Sequence, residues 1–218
     1  MIETMAVSAG EGRLAIIHSP AGLGKTRFAQ WYASNNRCAF LRCQHNWRTS
    51  ELEFLQAFCL ELGIRTPPHR KGAAFMAVMD ELNKQGGLPV FVEEIERLSK
   101  AFLELVRDFS DLSLAPFVLV GEEELVSHVK QVRRLWSRTC QLLEFQPLDL
   151  GDIIMYAREA AELNLSAEVA GIMYQESKGN FRVVKRDLQN LAAIMNAKGT
   201  PAPTPELVKV AIKQSLRG

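Results

Sequence analysis

Long apolar runs are missing from this chain. No stretch approaches the roughly 20 consecutive apolar residues that a bilayer-spanning helix needs. The first residues contain no basic segment followed by an apolar core, so no signal peptide is legible. Charge of one sign is missing too: 26 Lys and Arg stand against 25 Asp and Glu in 218 residues, for a formal net charge of +1. A whole-chain electrostatic attraction to nucleic acid is thereby excluded, and any such binding must come from a local patch. Cysteine is scarce. Cys38, Cys43, Cys59 and Cys140 form no CxxC pair, and His45 has no co-ligands at zinc-site spacing. They read as small buried hydrophobes of a reducing compartment. Together these absences predict a cytoplasmic, non-membrane protein. The 47% hydrophobic content is ordinary for a globular chain and sufficient for a sizeable core.

The apolar segments alternate in type. Short runs at residues 14–18, 38–41, 88–92, 117–120 and 142–145 read as buried strands. Between them, helical spacing is found at residues 26–33, 50–62, 73–82, 98–112 and 125–136. Phe28, Trp31 and Tyr32 are the packing residues expected of the first helix, and Thr49 or Ser50 is the expected cap of the second. A basic, Pro-broken loop runs from Arg65 through Pro67, Pro68 and Arg70 to Lys71. Strand–helix alternation of this kind predicts a mostly parallel sheet covered on both faces. After Pro147 the pattern becomes helical only, at 149–162, 166–176, 181–196 and 205–216, with a Pro- and Gly-bearing linker at 198–203. Two domains are therefore expected, an α/β domain over residues 1–147 and a small all-α domain over 148–218.

Four elements carry chemistry. Ser19-Pro20-Ala21-Gly22-Leu23-Gly24-Lys25-Thr26 lies between the first strand and the first helix, the context a phosphate-binding P-loop requires. Its backbone N–H groups and the helix N-terminus would face phosphates. Gly22 and Gly24 allow close approach, Lys25 would reach the terminal phosphates, and the Thr26 hydroxyl would ligate Mg²⁺. Ser19 replaces the usual first glycine. Glu93 and Glu94 follow the third strand, where P-loop enzymes place a metal-shell acid and a water-positioning acid. Glu93 is assigned to metal and Glu94 to water activation. Arg138, with Arg133 and Arg134 upstream, precedes the fifth strand, where an arginine can act on a neighbouring subunit. Arg182, in Gly179-Asn180-Phe181-Arg182, opens a helix of the second domain and can close on the γ-phosphate.

These elements, in this order, resemble the AAA+ ATPases of transposition, the MuB/TnsC/ExeA-like group. The likeness is carried by SPAGLGKT, FVEEIERLS, FVLVGEEEL, RRLWSR and GNFRVVKRDL, and it extends over nearly the whole chain. The resemblance implies a five-stranded P-loop sheet followed by a helical lid. It implies ATP and Mg²⁺ as cofactors, assembly of identical subunits into rings or helical filaments on double-stranded DNA, and service to a transposase. Arg138 then corresponds to the arginine finger and Arg182 to the lid arginine. Arg48 and Thr49 at a helix start, with Arg65, Arg70 and Lys71 in the basic loop, become the candidates for DNA phosphate contact. Two departures predict slow hydrolysis. Glu93 replaces the usual Asp, and Glu122 stands where a polar hydrogen-bond donor is common, although an ionised carboxylate cannot donate. Members of the group often carry an extension before the first strand, and with only about a dozen residues there in this sequence that part is expected to be either missing or trimmed. Two other functions fit the same motifs: an AAA+ regulator acting on a protein client without DNA, as in secretion-linked relatives, and a nucleotide-binding switch with little hydrolysis.

Overall fold

In a computed structural model of the chain, residues 13–113 and 115–215 are described. Residues 1–12 of the expected first domain, and Leu216 of the expected last helix, lie outside them. The chain divides into two compact units. Of the described residues, one unit comprises 13–20 and those of Lys25–Phe145; the other comprises Ala21–Gly24 and residues 146–215.

In the first unit, strands β1 (Leu14–His18), β2 (Ala39–Arg42), β3 (Val90–Glu93), β4 (Phe117–Gly121) and β5 (Thr139–Glu144) form one sheet in the order β2-β3-β4-β1-β5. All four pairings are parallel. Helices α1 (Lys25–Asn35), α2 (Glu51–Glu61), α3 (Lys71–Lys84), α4 (Lys100–Leu112), α5 (Glu123–Gln131) and α6 (Arg133–Trp136) connect the strands. Side chains alternate across the sheet with period two. Leu14, Ile16, Val90, Val92, Phe117 and Leu119 enter one core. Ile17, Phe91, Val118 and Val120 enter the other, against Ala29 of α1. The central strands are apolar on both faces because both faces are covered.

The larger core is aromatic. Phe54 and Phe58 of α2, Phe109 of α4 and Phe117 of β4 are fully buried; Phe54 packs tilted against Phe58, and Phe58, Phe109 and Phe117 meet edge-on or stacked. Each contributes on the order of 1.5–3 kcal/mol of burial, with some further gain from ring geometry. This packing places the C-terminal ends of β1, β3 and β4, and the turns that follow them, side by side.

Several local expectations needed correction. Strand β3 starts at Val90 and includes Glu93, because Pro89 has no N–H to donate and Glu93 still pairs in register with Val120. Helix α3 begins at Lys71, so the basic loop ends one residue earlier, with Arg70 as the cap position. The expected helix at 125–136 is broken at Val132 into α5 and α6. Trp31 is 59% exposed, since α1 buries only Lys25 and Ala29 fully. Of the four free cysteines only Cys59 is buried, and Cys140 is exposed on the edge strand β5.

The second unit contains α7 (Leu150–Ala161), α8 (Ala167–Ser177), α9 (Phe181–Lys198) and α10 (Pro205–Ser215) around a core that includes Ile153, Met173, Leu188, Leu191 and Val208. Local sequence sets its helix starts. Asp149 and Asp152 form a reciprocal capping box on α7, Ser166 caps α8, and Asn180 caps α9. Among the described residues no helix is long and apolar enough to cross a membrane.

Candidate nucleotide-binding site

Strand β1 ends at His18 and helix α1 begins at Lys25, so the P-loop is the turn that joins them. Lys25 is almost fully buried. Its ammonium donates to the Ser19 carbonyl at 2.8 Å, the Ser19 hydroxyl at 3.0 Å and the Pro20 carbonyl at 3.0 Å. A buried ammonium without acceptors would be strongly unfavourable, and Ser19 supplies two of these three. The Ser19 hydroxyl also donates to the Pro20 carbonyl at 3.0 Å. The serine in place of a first glycine is therefore integrated into the loop.

Ala21–Gly24 of the loop belong with the helical unit. There the Asn180 side chain donates to the Ala21 carbonyl at 3.1 Å, and the Arg182 N–H donates to the Gly22 carbonyl at 2.9 Å. Gly22 has φ 88° and Gly24 φ 101°, a region costly for residues with a Cβ. Leu23, between them, is buried. Arg182 itself is exposed in the second position of α9.

Glu93 is only 2% exposed, and neither of its carboxylate oxygens makes a well-formed hydrogen bond. Burial pushes its carboxyl above the usual carboxylate range. The Thr26 hydroxyl, Arg42 and Lys25 oppose that shift, while Glu94 adds to it. A buried, unsatisfied carboxylate beside the P-loop threonine is the arrangement a hard divalent cation would complete, since Mg²⁺ takes oxygen ligands and retains waters.

Glu94 is held differently. Its backbone is left-handed at φ 61°, ψ 29°, and its N–H donates to the Val120 carbonyl at 2.8 Å. One carboxylate oxygen accepts from Arg42 at 2.9 Å and the other pairs with Arg97 at 2.6 Å. Arg42 also lies 3.7 Å from Glu93. Sequence reasoning missed both arginines. Arg97 could have been found, being three residues beyond Glu94, but Arg42 arrives only through the β2–β3 pairing that sets it opposite Glu93.

Beyond β4, the N–H of Glu122 donates to Glu96 at 3.1 Å. Glu96 closes over Gly121, where an added Cβ would collide with its carboxylate. Glu122 itself is exposed at the cap position of α5.

The other sequence-derived candidates are placed as follows. Arg138 lies between α6 and β5, and its Nε bonds Asp111 at 2.8 Å. Arg48 is exposed at the end of a 3₁₀ turn, and the Thr49 hydroxyl bonds back to the Asn46 carbonyl at 3.2 Å. Ser50 is the cap of α2. Arg65 and Arg70 lie in the loop before α3 and Arg70 is exposed, whereas Lys71 pairs with Glu51 of α2. The loop is anchored by Gln56, which donates to the Pro68 carbonyl at 3.1 Å.

This chain is 28% identical over 180 residues to the Mu-like prophage FluMu DNA transposition protein B of Haemophilus influenzae, covering 78% of this chain and 62% of the relative. It is 25% identical over 193 residues to the ATP-dependent target DNA activator B of Escherichia phage Mu, covering 85% of this chain and 61% of that protein. The chain thus spans about three fifths of the curated relatives it matches. Among solved structures, Cdc6p of Pyrobaculum aerophilum superposes with a TM-score of 0.71 at 15% identity, over 98% of this chain and 64% of that one. That likeness is one of fold alone. A family model described as an AAA domain matches residues 9–128, more than half of the 218 residues. The chain belongs to that AAA domain family.

Proposed function

We propose that the chain is an ATP-dependent, DNA-binding AAA+ ATPase that assembles on duplex DNA, supports transposition and hydrolyses ATP slowly. The observation that carries the nucleotide half is the pairing of a buried Lys25 with a buried, unsatisfied Glu93 beside Thr26. Thr26 and Glu93 are the residues that would hold Mg²⁺. When bound, the cation would neutralise charge on the β- and γ-phosphates. Lys25, now bonded to its own loop, would transfer hydrogen bonds to those phosphates. Glu94 would orient and deprotonate the attacking water. Its carboxylate is engaged by Arg42 and Arg97, and a carboxylate occupied by two guanidiniums is a restrained base. That restraint, with Glu122 unable to donate from an ionised side chain, supports slow turnover.

The DNA half rests on the relatives, whose names include DNA transposition and target DNA activation. Arg48, Arg65 and Arg70 are all exposed, and none of the three has the kind of acidic pairing that ties Lys71 to Glu51 among the described residues. Such cations neutralise phosphates without reading bases. Repetition of a weak patch around a ring or filament of identical subunits would multiply its effect.

Retention of the protein on non-specific duplex DNA, with and without ATP across a salt series, tests the reading. Binding should require ATP, fail in Lys25→Ala and weaken steeply with salt. Joint replacement of Arg65, Arg70 and Lys71 by Ala should flatten the slope of log affinity against log salt by roughly 0.9 for each phosphate no longer neutralised. The change should correspond to the two arginines and not to all three cations, because Lys71 is already paired. If the unmodified protein binds ATP but shows no ATP-dependent duplex retention at low salt, the DNA reading falls and a protein-client regulator takes its place.

A further inference from the structure

Within the helical unit, one amide side chain does two things at once. The Oδ1 of Asn180 accepts from the N–H groups of Arg182 at 3.1 Å and Val183 at 3.3 Å, which caps α9. Its Nδ2 donates to the carbonyl of Ala21 at 3.1 Å. Two residues on, the backbone N–H of Arg182 donates to the carbonyl of Gly22 at 2.9 Å. Consecutive P-loop carbonyls are therefore both fastened to the first turn of α9. Gly22 makes the approach feasible, since a Cβ there would lie 2.5 Å from the Asn180 amide.

Among the described residues every peptide bond is trans, and in a trans peptide the C=O and the following N–H point in opposite directions. Fixing the Ala21 and Gly22 carbonyls toward α9 therefore turns the N–H groups of Gly22 and Leu23 away from it. Free to rotate, a glycine-bearing loop would sample many orientations of those donors. Held by Asn180, the loop presents a preset pair of N–H groups on its other side.

We infer that Asn180 is a positioning residue for nucleotide binding: it clamps the P-loop backbone so that the N–H groups of Gly22 and Leu23 are preoriented for a phosphate, without itself touching the nucleotide. The inference rests on the P-loop reading above. Its logic is preorganisation, in which affinity is gained because the loop need not be ordered when the ligand arrives.

The test uses the full chain, a fluorescent ATP analogue, ATP and ADP as competitors, and thermal unfolding without nucleotide. Asn180→Ser keeps a capping oxygen, since serine is a strong N-cap, but cannot reach Ala21. It should unfold within about 2 °C of the parent and bind both ATP and ADP about tenfold more weakly, the factor that one net hydrogen bond represents. Asn180→Ala, which removes cap and clamp together, should show the same affinity loss plus a lower unfolding temperature. If Asn180→Ser binds nucleotide as well as or better than the parent while Lys25→Ala does not bind, the clamp role is wrong and the P-loop reading stands. If Asn180→Ser is destabilised with unchanged affinity, Asn180 serves the helix alone and the inference is overturned. If the parent binds no nucleotide, both the P-loop reading and this inference fall.

Discussion

Replacing Glu93 by Gln should stabilise the nucleotide-free protein while destroying its Mg²⁺-dependent hydrolysis. An ionised carboxylate removed from water carries a penalty of several kcal/mol. Little in the site returns it. Arg42 stands 3.7 Å away but is itself 54% exposed, so that pair is screened and contributes on the order of 0–1 kcal/mol. The Thr26 hydroxyl and Lys25 oppose the penalty only in part, and the Lys25 ammonium is also bonded to Ser19 and Pro20. The remainder disfavours the charge, in agreement with a carboxyl that burial raises. At roughly 2–4 °C per kcal/mol for a domain of this size, Glu93→Gln should unfold a few degrees above the parent at neutral pH. The sign with pH follows from linkage. Because the folded-state value is raised, the native protein holds its proton more tightly than the unfolded chain does. The parent therefore loses relative stability as pH rises through the raised value, and below the unfolded carboxylate value of about 4.3 the charge penalty is absent. The advantage of Glu93→Gln should accordingly vanish in acid and grow toward neutrality. Calorimetry of both proteins from about pH 4 to 8, without nucleotide, starts near the unfolded carboxylate value and follows the difference upward. A variant less stable than the parent near neutral pH, or a difference independent of pH, would refute the reasoning. In the same preparations ATP turnover should disappear, because a neutral amide is a poor Mg²⁺ ligand.

Arg42→Ala combined with Arg97→Ala should release Glu94 and raise basal ATP turnover several-fold at saturating ATP, as removal of a charge-assisted restraint predicts. A turnover at or below that of the parent, with ATP affinity retained, would show that the two arginines support the base and do not restrain it. Arg138→Ala subunits mixed with Lys25→Ala subunits should recover hydrolysis that neither has alone, since an interface between them can join an intact P-loop to an intact Arg138. A mixture no more active than its parents, with mixed assemblies shown by cross-linking, would remove Arg138 from that role and leave its bond to Asp111 as its function.

Local pattern was enough to read the class of the fold and the position of the strand-to-helix turn that we propose as the phosphate loop. Apolar runs of strand length at residues 14–18, 88–92 and 117–120 alternate with helical spacing, and such patterns reflect periodicities of 2 and 3.6 that are properties of the backbone itself. Gly22, Gly24 and Lys25 are legible for the same reason, because a strand-to-helix turn with that backbone is a local requirement. Helix starts at Ser50, Asp149, Ser166 and Asn180 also follow from neighbouring residues. What escaped local reading depends on residues distant in the chain. Arg42 meets Glu94 across 52 positions because β2 and β3 pair in register, and no spacing rule encodes that register. Glu96 bonds the N–H of Glu122 because β3 and β4 are neighbours. Asn180 reaches Ala21 from 159 positions away. Trp31, by periodicity a packing residue, is left in solvent because α1 buries only a narrow stripe. Hydrophobic period and turn chemistry act between near neighbours, which is why strands, helices and the phosphate loop are written in the linear order of residues. Burial of Glu93, the arginine pairs of Glu94 and the orientation of the loop's N–H groups come instead from the order in which strands and helices assemble, where the deciding neighbours are far apart in the chain.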